Sequence, residues 1–389
     1  MKPIRVMNII ARLNVGGPAI HVSLLTANLG APKYESVLVC GNIEATEGDM
    51  SYIASAKGVQ PIYIPELGRS LNPLRDVTTV WKLYRLIRQW KPDVVHTHTS
   101  KAGFVGRIAA WLAGVPVIVH TFHGHVFHGY FSPAKTRFFI LIEQFTARLS
   151  DTIIANTDGL RDELANIYHI TSADHIFISP LAVDLEPFMK MPRKQGTFRR
   201  AWNIPLDVPL VGIVGRLVPI KNHRLFLEAA AQIRQEMANA HFVIIGDGEL
   251  RAELEALVDE LKLRDAVTFT GWVKEVAPIY SDLDVSVISS NNEGVPGSIT
   301  EALVARCPVV STSVGGVPEM LEHGAVGSLV KAGDRDGLAQ AIISTLRNPP
   351  NGDKGRAAAL HRSGLEVILG QLDALYTQHL TRKGRLSAE

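Results

Sequence analysis

Asn292-Glu293-Gly294-Val295-Pro296-Gly297-Ser298-Ile299-Thr300-Glu301-Ala302-Leu303 sets two carboxylates, with seven residues between them, across a Gly/Pro-rich turn that runs into a helix. The β-branched run Val285–Ile288 just before it reads as a strand, so the stretch is a strand–loop–helix junction of the kind that builds parallel α/β sheets. Gly294, Pro296 and Gly297 let the backbone come close to a ligand. A helix beginning near Ser298 would aim its unpaired N–H groups and positive dipole end at a phosphate. Glu293 then stands just ahead of the helix and Glu301 about two turns on, so one carboxylate can reach a sugar and the other a ribose. The plainer alternative is a turn with a surface glutamate at each end.

Working outward, short β-branched runs alternate with helical patterns almost from end to end, the signature of parallel sheets with crossover helices. In the first half the strands are read at Arg5–Ile10, Ser36–Cys40, Ile62–Ile64, Val94–His96, Val117–Val119, Thr152–Ala155 and His175–Ile178. Asn72 as N-cap and Pro73 in the first turn predict a helix running to about Gln89, stopped by Lys91-Pro92-Asp93. From Val183 to Pro205 the chain is irregular and basic, which suits an interdomain connection. The pattern then restarts with strands at Leu210–Val214, His241–Ile245, Val267–Thr270, Val285–Ile288, Val309–Thr312 and Gly327–Val330. This predicts one doubly wound α/β domain over 1–183 and a second over 184–363, with a helix in 364–389 packing back on the first. Two such domains facing each other would put their strand C-termini on opposite walls of a central cleft, where open α/β sheets bind ligands.

The bulk numbers agree with two packed domains. The chain has 389 residues, 46% hydrophobic and 20% charged, which is globular composition. A net charge of +2, with no Lys/Arg run interleaved with aromatics, argues against a nucleic-acid partner. Cys40 and Cys307, each beside valines in predicted strands, read as reduced thiols of a cytoplasmic protein. The N-terminus is too short in apolar residues for a secretory signal, and the longest apolar tract, Phe104–Val119, is broken by Arg107 and Pro116.

Other segments carry chemistry. Gly16 and Gly17 sit at the first strand–helix junction, where paired glycines allow a phosphate or an acceptor close to the backbone; a plain turn reads equally well. Gly215-Arg216-Leu217-Val218-Pro219-Ile220-Lys221-Asn222 ends a strand of the second half with two cations able to neutralise a diphosphate, Arg216 by forked hydrogen bonds and Lys221 as a point charge. Ile245-Gly246-Asp247-Gly248 and Thr270-Gly271-Trp272-Val273 end strands with glycine, as nucleotide-contacting turns do, but every α/β domain has such turns. Six histidines cluster at His96, His98, His120, His123, His125 and His128; with no cysteine near and no carboxylate at motif spacing they do not read as a metal site. Thr121-Phe122-His123-Gly124 follows a buried strand, which would project His123 toward the ligand. The segment 130–142 combines aromatics with Lys135 and Arg137 and is a candidate for peripheral contact with an anionic membrane, the alternative being packing on its own sheet.

Together NVGGPAIHV, HTHTSKAG, TFHGH, GRLVPIKN, GDGEL, TGWV, EGVPGSITEA and VSTSVGGVPEML resemble, over the whole chain, the retaining glycosyltransferases of the glycogen-synthase-like, family 4 type group, which have a GT-B fold of two Rossmann-like domains. The resemblance implies a nucleotide-sugar donor held by the second domain and an acceptor served by the first. It implies that Arg216 and Lys221 bind the donor diphosphate, that Glu293 contacts the transferred sugar, that Glu301 holds the ribose and that His123 lies against the sugar. Gly294 and the backbone from Val295 through Pro296 and Gly297 to Ser298 would reach sugar and phosphate, Gly16 and Gly17 would line the opposite wall, and Gly271, Trp272 and Val273 would lie by the base. Gly297 and Thr300 depart from the bulkier aliphatics usual there, which bears on the choice of sugar. The implied reaction is a metal-independent, retaining transfer of a hexosyl or N-acetylhexosaminyl group, from a UDP-sugar in preference, to a glycan or lipid-linked acceptor in cell-surface polysaccharide synthesis. It needs no cofactor beyond the nucleotide sugar and takes place in the cytoplasm, at the inner face of the cell membrane. A nucleotide-sugar epimerase of similar fold, or a non-catalytic sugar-nucleotide-binding subunit, are the alternatives.

Overall fold

The computed structural model describes residues 2–14, 16–43, 48–68, 72–124, 127 and 132–386. Its chain forms two compact units, one of Met1–Asp184 with Leu365–Glu389 and one of Leu185–Gly364. In the first, strands β1 (Ile4–Ile10), β2 (Tyr34–Cys40), β3 (Ile62–Tyr63), β4 (Val94–His98), β5 (Val117–Phe122), β6 (Thr152–Ala155) and β7 (Ile176–Ile178) form a sheet in the order β3-β2-β1-β4-β5-β6-β7. In the second, β8 (Leu210–Val214), β9 (His241–Ile245), β10 (Val267–Gly271), β11 (Val285–Ile288), β12 (Val309–Thr312) and β13 (Ser328–Val330) form one in the order β10-β9-β8-β11-β12-β13. The strand pairs within both sheets are parallel. Each order reverses direction beside its first strand, so both sheets are doubly wound.

Seven helices matter below: α1 (Gly17–Asn28), α2 (Pro73–Trp90), α3 (Ser100–Ala113), α4 (Pro133–Ala147), α5 (His223–Glu236), α6 (Gly297–Val304) and α7 (Leu365–Arg382). In the first unit, α2 and α3 cover one face of the sheet through Leu83, Ile87, Val105 and Ala109 against Met7, Ile9, Val95 and Ile118. α1 and α7 cover the other through Leu25, Leu372 and Tyr376 against Val6, Val94 and Val119. Side chains alternate across a strand, so neighbouring residues such as Val94 and Val95 serve opposite cores. Polar anchors fix α7 further: Tyr376 Oη lies 2.6 Å from His96 Nδ1, the Tyr34 hydroxyl donates to Asp373 at 2.7 Å, and Thr152 Oγ1 lies 2.7 Å from His379 Nε2.

The Asn72 side chain caps α2 as predicted, accepting from Leu74 and Arg75 N–H, and Lys91 closes the helix in the left-handed region. Three readings are corrected. β4 and β5 run on to His98 and Phe122, because Thr97 and His120 are buried and bonded to each other at 2.9 Å, which keeps polar residues inside the sheet. Val183–Pro205 is not wholly irregular, since it holds short helices at Glu186–Lys190 and Thr197–Ala201. Cys307 precedes β12 in a buried turn instead of lying in a strand. Among the described residues no helix is long and apolar enough to cross a membrane.

Candidate active site

β8 and β11 are sheet neighbours and run parallel, so the loops that follow them leave from the same edge. After β8 the chain passes exposed Arg216 into a single 3-10 turn, Pro219–Lys221, and then α5. After β11 it forms the loop that carries Glu293 and enters α6. The two loops are laced together. Asn291 N–H donates to the Ile220 carbonyl at 2.8 Å, the Ser289 hydroxyl lies 3.0 and 2.9 Å from the carbonyls of Lys221 and Asn222, and Asn222 Nδ2 donates to Asn291 Oδ1 at 3.2 Å. A third turn presses from the other side. Gly316 N–H donates to the Gly294 carbonyl at 3.1 Å, and a Cβ on Gly315, whose φ is +51°, would lie 1.6 Å from the Glu293 carbonyl oxygen. Only glycine fits there.

Inside this frame Lys221 Nζ lies 2.6 Å from Glu293 Oε1, and the Ser290 hydroxyl donates to the same oxygen at 2.6 Å. The Glu293 side chain is 9% exposed and that of Lys221 25%. A carboxylate this enclosed is costly without a cation, so Lys221 compensates Glu293 directly. The sequence had assigned the two to different parts of a ligand, one to phosphate and one to sugar, and their pairing was not foreseen. α6 then starts at Gly297 behind Pro296 with no side-chain cap, which leaves first-turn N–H groups, Ser298 among them, available to an anion. A Cβ on Gly297 would meet nothing nearer than Glu301 Oε1 at 4.0 Å. Packing does not demand glycine here, so its effect is to leave space at the helix start.

Glu301 turns its carboxyl back toward Gly297, and burial raises it from 4.5 to about 7, with the Tyr280 hydroxyl opposing part of the rise. Glu293 and Glu301 thus differ in kind. One is ion-paired, and the other is a carboxyl near neutrality with no cation beside it.

His223, the first residue of α5, was missed by the sequence reading. It is fully buried, neither ring nitrogen has a hydrogen-bond partner, and it lines a small crevice with Gly215, Lys221, Ser290, Glu293 and Ser298. Burial, then the Lys221 charge, push it down to about 4, so the ring is neutral. A lone histidine at a helix start carries no motif that would have flagged it.

Along the same sheet edge, a Cβ on Gly246 would lie 2.0 Å from the Gly215 carbonyl oxygen, and Gly246 N–H donates to the Gly271 carbonyl at 3.0 Å. These glycines let the turns after β8, β9 and β10 stack. Trp272 is 55% exposed at the end of β10, and Val273 is half-buried beside it.

In the first unit, His96 is spent on Tyr376 and on Thr121 Oγ1 at 2.7 Å and is a satisfied core residue, while His120 gives Nδ1 to Thr97 and keeps a buried Nε2 without a partner. His123 Nε2 lies 3.1 Å from His98 Nδ1, and His21 stands edge-on to both rings. Burial drives His21 down to about 3 and His98 and His123 well below 6.5, so all three are neutral. Each of the three offers one nitrogen within 4.8 Å of the others. The Ala182 N–H donates to His21 Nδ1 at 2.9 Å, which fixes that ring as the Nε2–H tautomer, and His98 and His123 share one proton between them. His98 and His123 thus hold each other, whereas His21, its Nδ1 spent on Ala182, meets them only edge to ring. His98 Nε2 and His123 Nδ1 are both left without a partner. His125, His128 and residues 129–131 lie outside the described residues. At the first strand–helix junction a Cβ on Gly17 would meet Leu181 Cδ2 at 2.6 Å, so this glycine answers to packing, while the same test at Gly16 meets only Pro18 at 3.6 Å.

Known proteins are similar to this chain in sequence and in fold. Residues 16–180 match the family described as glycosyl transferase 4-like domain, and residues 208–348 the one described as glycosyl transferases group 1. Over 288 residues, 73% of this chain and 74% of the relative, the chain is 30% identical to UDP-Gal:alpha-D-GlcNAc-diphosphoundecaprenol alpha-1,3-galactosyltransferase of Escherichia coli. Over 303 residues, 74% of this chain and 78% of the relative, it is 26% identical to 2-deoxystreptamine glucosyltransferase of Streptomyces kanamyceticus. In fold it is similar to Anabaena HepE, solved in complex with UDP, with a TM-score of 0.81 at 19% identity over 96% of this chain and 100% of that one. Sucrose-phosphate synthase of Thermosynechococcus elongatus gives 0.80 at 21% identity, over 97% and 100%. The chain belongs to the family 4 type glycosyltransferases of GT-B fold.

Proposed function

We propose that the protein is a retaining transferase that moves a hexosyl or N-acetylhexosaminyl group from a UDP-sugar to a lipid-linked or glycan acceptor, in cell-surface polysaccharide synthesis at the cytoplasmic face of the membrane. The observation that carries this reading is the Lys221–Glu293–Ser290 cluster beside the uncapped start of α6. It combines a cation, a hydrogen-bonding carboxylate and free backbone N–H groups, the parts needed to hold a sugar diphosphate. The name of the Escherichia coli relative, with UDP-Gal as donor and a diphosphoundecaprenol as acceptor, supports the choice of UDP and of a lipid-linked diphosphate.

In the proposed reaction the bond from the anomeric carbon to the β-phosphate oxygen breaks while the acceptor oxygen bonds to that carbon on the same face. The acceptor proton passes to the departing phosphate oxygen. Arg216, Lys221 and the N–H groups of Gly297 and Ser298 stabilise the charge that builds on the diphosphate, an effect of about 10²–10³ in rate per contact in comparable oxyanion sites. Once Lys221 turns to phosphate, Glu293 is free to accept from sugar hydroxyls with Gly294, Val295 and Pro296 framing it. Glu301 accepts from the ribose, Gly271, Trp272 and Val273 lie by the base, and His123, with Gly16, serves sugar and acceptor. These cations take the role a metal would otherwise have, so activity should survive EDTA.

The test is UDP release from a panel of UDP-sugars with and without a diphospholipid acceptor, in EDTA, with NMR of the product anomer. Acceptor-dependent release with a retained anomeric configuration is the expected result. Release that needs no acceptor would favour an epimerase, an inverted product would end the retaining mechanism, and UDP binding without turnover would leave a binding subunit.

A further inference from the structure

α2, α3 and α4 pack side by side on one face of the first sheet, and their inner sides are consumed by its core. Their outer sides are unusual. Leu74, Val77 and Trp81 form an i, i+3, i+7 stripe on α2, next to Trp111 and Leu112 on α3, and all are 53–81% exposed. An open apolar furrow runs between these two helices, floored by Val80, Phe104 and Ile108. On α4 the same spacing recurs in Phe138, Leu141 and Phe145, 56–59% exposed. Isolated exposed apolar side chains are ordinary, but exposed apolar stripes recurring on three adjacent helices mark a surface that is covered by something.

Charge says by what. The three helices carry eight cations and two carboxylates, against near balance in the whole chain, 40 to 38. Both carboxylates are already paired, Asp76 with Lys101 and, beneath the surface, Glu143 with the buried Arg107, while Lys82 pairs with Glu66 outside these helices. Arg75, Arg85 and Arg88 on α2 and Arg137 on α4 are exposed, and the Arg85 guanidinium lies over the Trp81 ring, 4.8 Å from its centroid. An aromatic at headgroup depth with a guanidinium above it is how an amphipathic surface meets anionic lipid. We propose that this α2–α3–α4 face seats the protein on an anionic membrane. The surface is wider than the 130–142 segment singled out from sequence, with its greater part on α2 and α3. The inference deepens the reading of a lipid-linked acceptor, and it is tested without turnover, so either can fail alone.

The experiment is flotation of the full chain with phosphatidylcholine vesicles containing about 30 mol% phosphatidylglycerol, and with phosphatidylcholine alone, at low and high salt. Binding is expected only to the anionic vesicles and should weaken as salt rises. Trp111→Ser with Phe138→Ser, and separately Arg85→Glu with Arg88→Glu, should each lower the bound fraction about tenfold while UDP binding and melting temperature stay unchanged. Three results would overturn the proposal: no flotation of the wild type, flotation equal for the variants, or a dimer in ultracentrifugation that the same substitutions dissolve, which would make the face an interface between copies.

Discussion

Replacing Glu301 by glutamine should move folding and ligand binding in opposite directions. Burial lifts this carboxyl from 4.5 to about 7, whereas in the unfolded chain it keeps its ordinary value. The folded state therefore holds the proton more tightly, and the cost to folding is absent below about pH 4.5, grows through the interval and is complete above about pH 7. A rise from 4.5 to about 7 corresponds to about 3 kcal/mol, a ceiling because Glu301 keeps partial exposure. Glutamine carries no charge at any pH. Glu301→Gln should then be more stable than the wild type at pH 8 by up to about 3 kcal/mol, with the advantage gone near pH 4.5. Ribose hydroxyls donating to the carboxylate would favour its charged form, so UDP binding should expel the proton and weaken about tenfold between pH 8 and pH 6. The variant should bind more weakly, without that pH dependence. Urea melts of both proteins at pH 5 and pH 8, with calorimetric titration of UDP in two buffers of different ionisation enthalpy, measure these quantities. A stability difference that does not change with pH, or binding without proton release at pH 6.5, would refute the reasoning.

Lys221→Ala strips the enclosed Glu293 of its cation and should cost about 1–3 kcal/mol in a urea melt as well as weakening UDP binding; Lys221→Ala with Glu293→Gln should recover most of the stability and none of the affinity. Gly315→Ala would drive a Cβ to 1.6 Å from the Glu293 carbonyl oxygen at a left-handed backbone position, and a loss of about 3 kcal/mol or more is expected. Gly297→Ala meets open space, so its melting temperature should stay put while the preference among UDP-sugars changes in a competition assay. His223→Leu removes two buried nitrogens that have no partners and should be neutral or mildly stabilising in thermal melts, since no hydrogen bond is lost.

Strands such as β8, β9, β11 and β12 could be read to the residue because a parallel strand buried on both faces is a continuous β-branched run, and the polar turn that ends it is equally plain. β4 and β5 were read short because Thr97, His98, His120 and Thr121 interrupt the apolar run. Their burial is made tolerable by partners far along the chain, Thr97 with His120 and His96 with Tyr376. The helix at Thr197–Ala201 has no local cap at all. Its N–H groups at Phe198 and Arg199, and that of Gly196, are taken by the carboxylate of Asp282, 83–86 residues away. The same physics limits how the candidate site could be read. Strand ends in a parallel sheet gather at one edge, so residues such as Arg216, Lys221, Glu293 and Gly297 could be assigned to one locus from spacing and turn chemistry alone. What each does there is set by contacts that span the chain. The 72 residues between Lys221 and Glu293 hide an ion pair, and the requirement for Gly315 appears only once the Glu293 carbonyl is set against it. Glu293 and Glu301 look alike in the motif, and only the folded surroundings separate them: Lys221 pairs with the enclosed Glu293, whereas Glu301 is buried with no cation beside it and can take up and release a proton near neutrality.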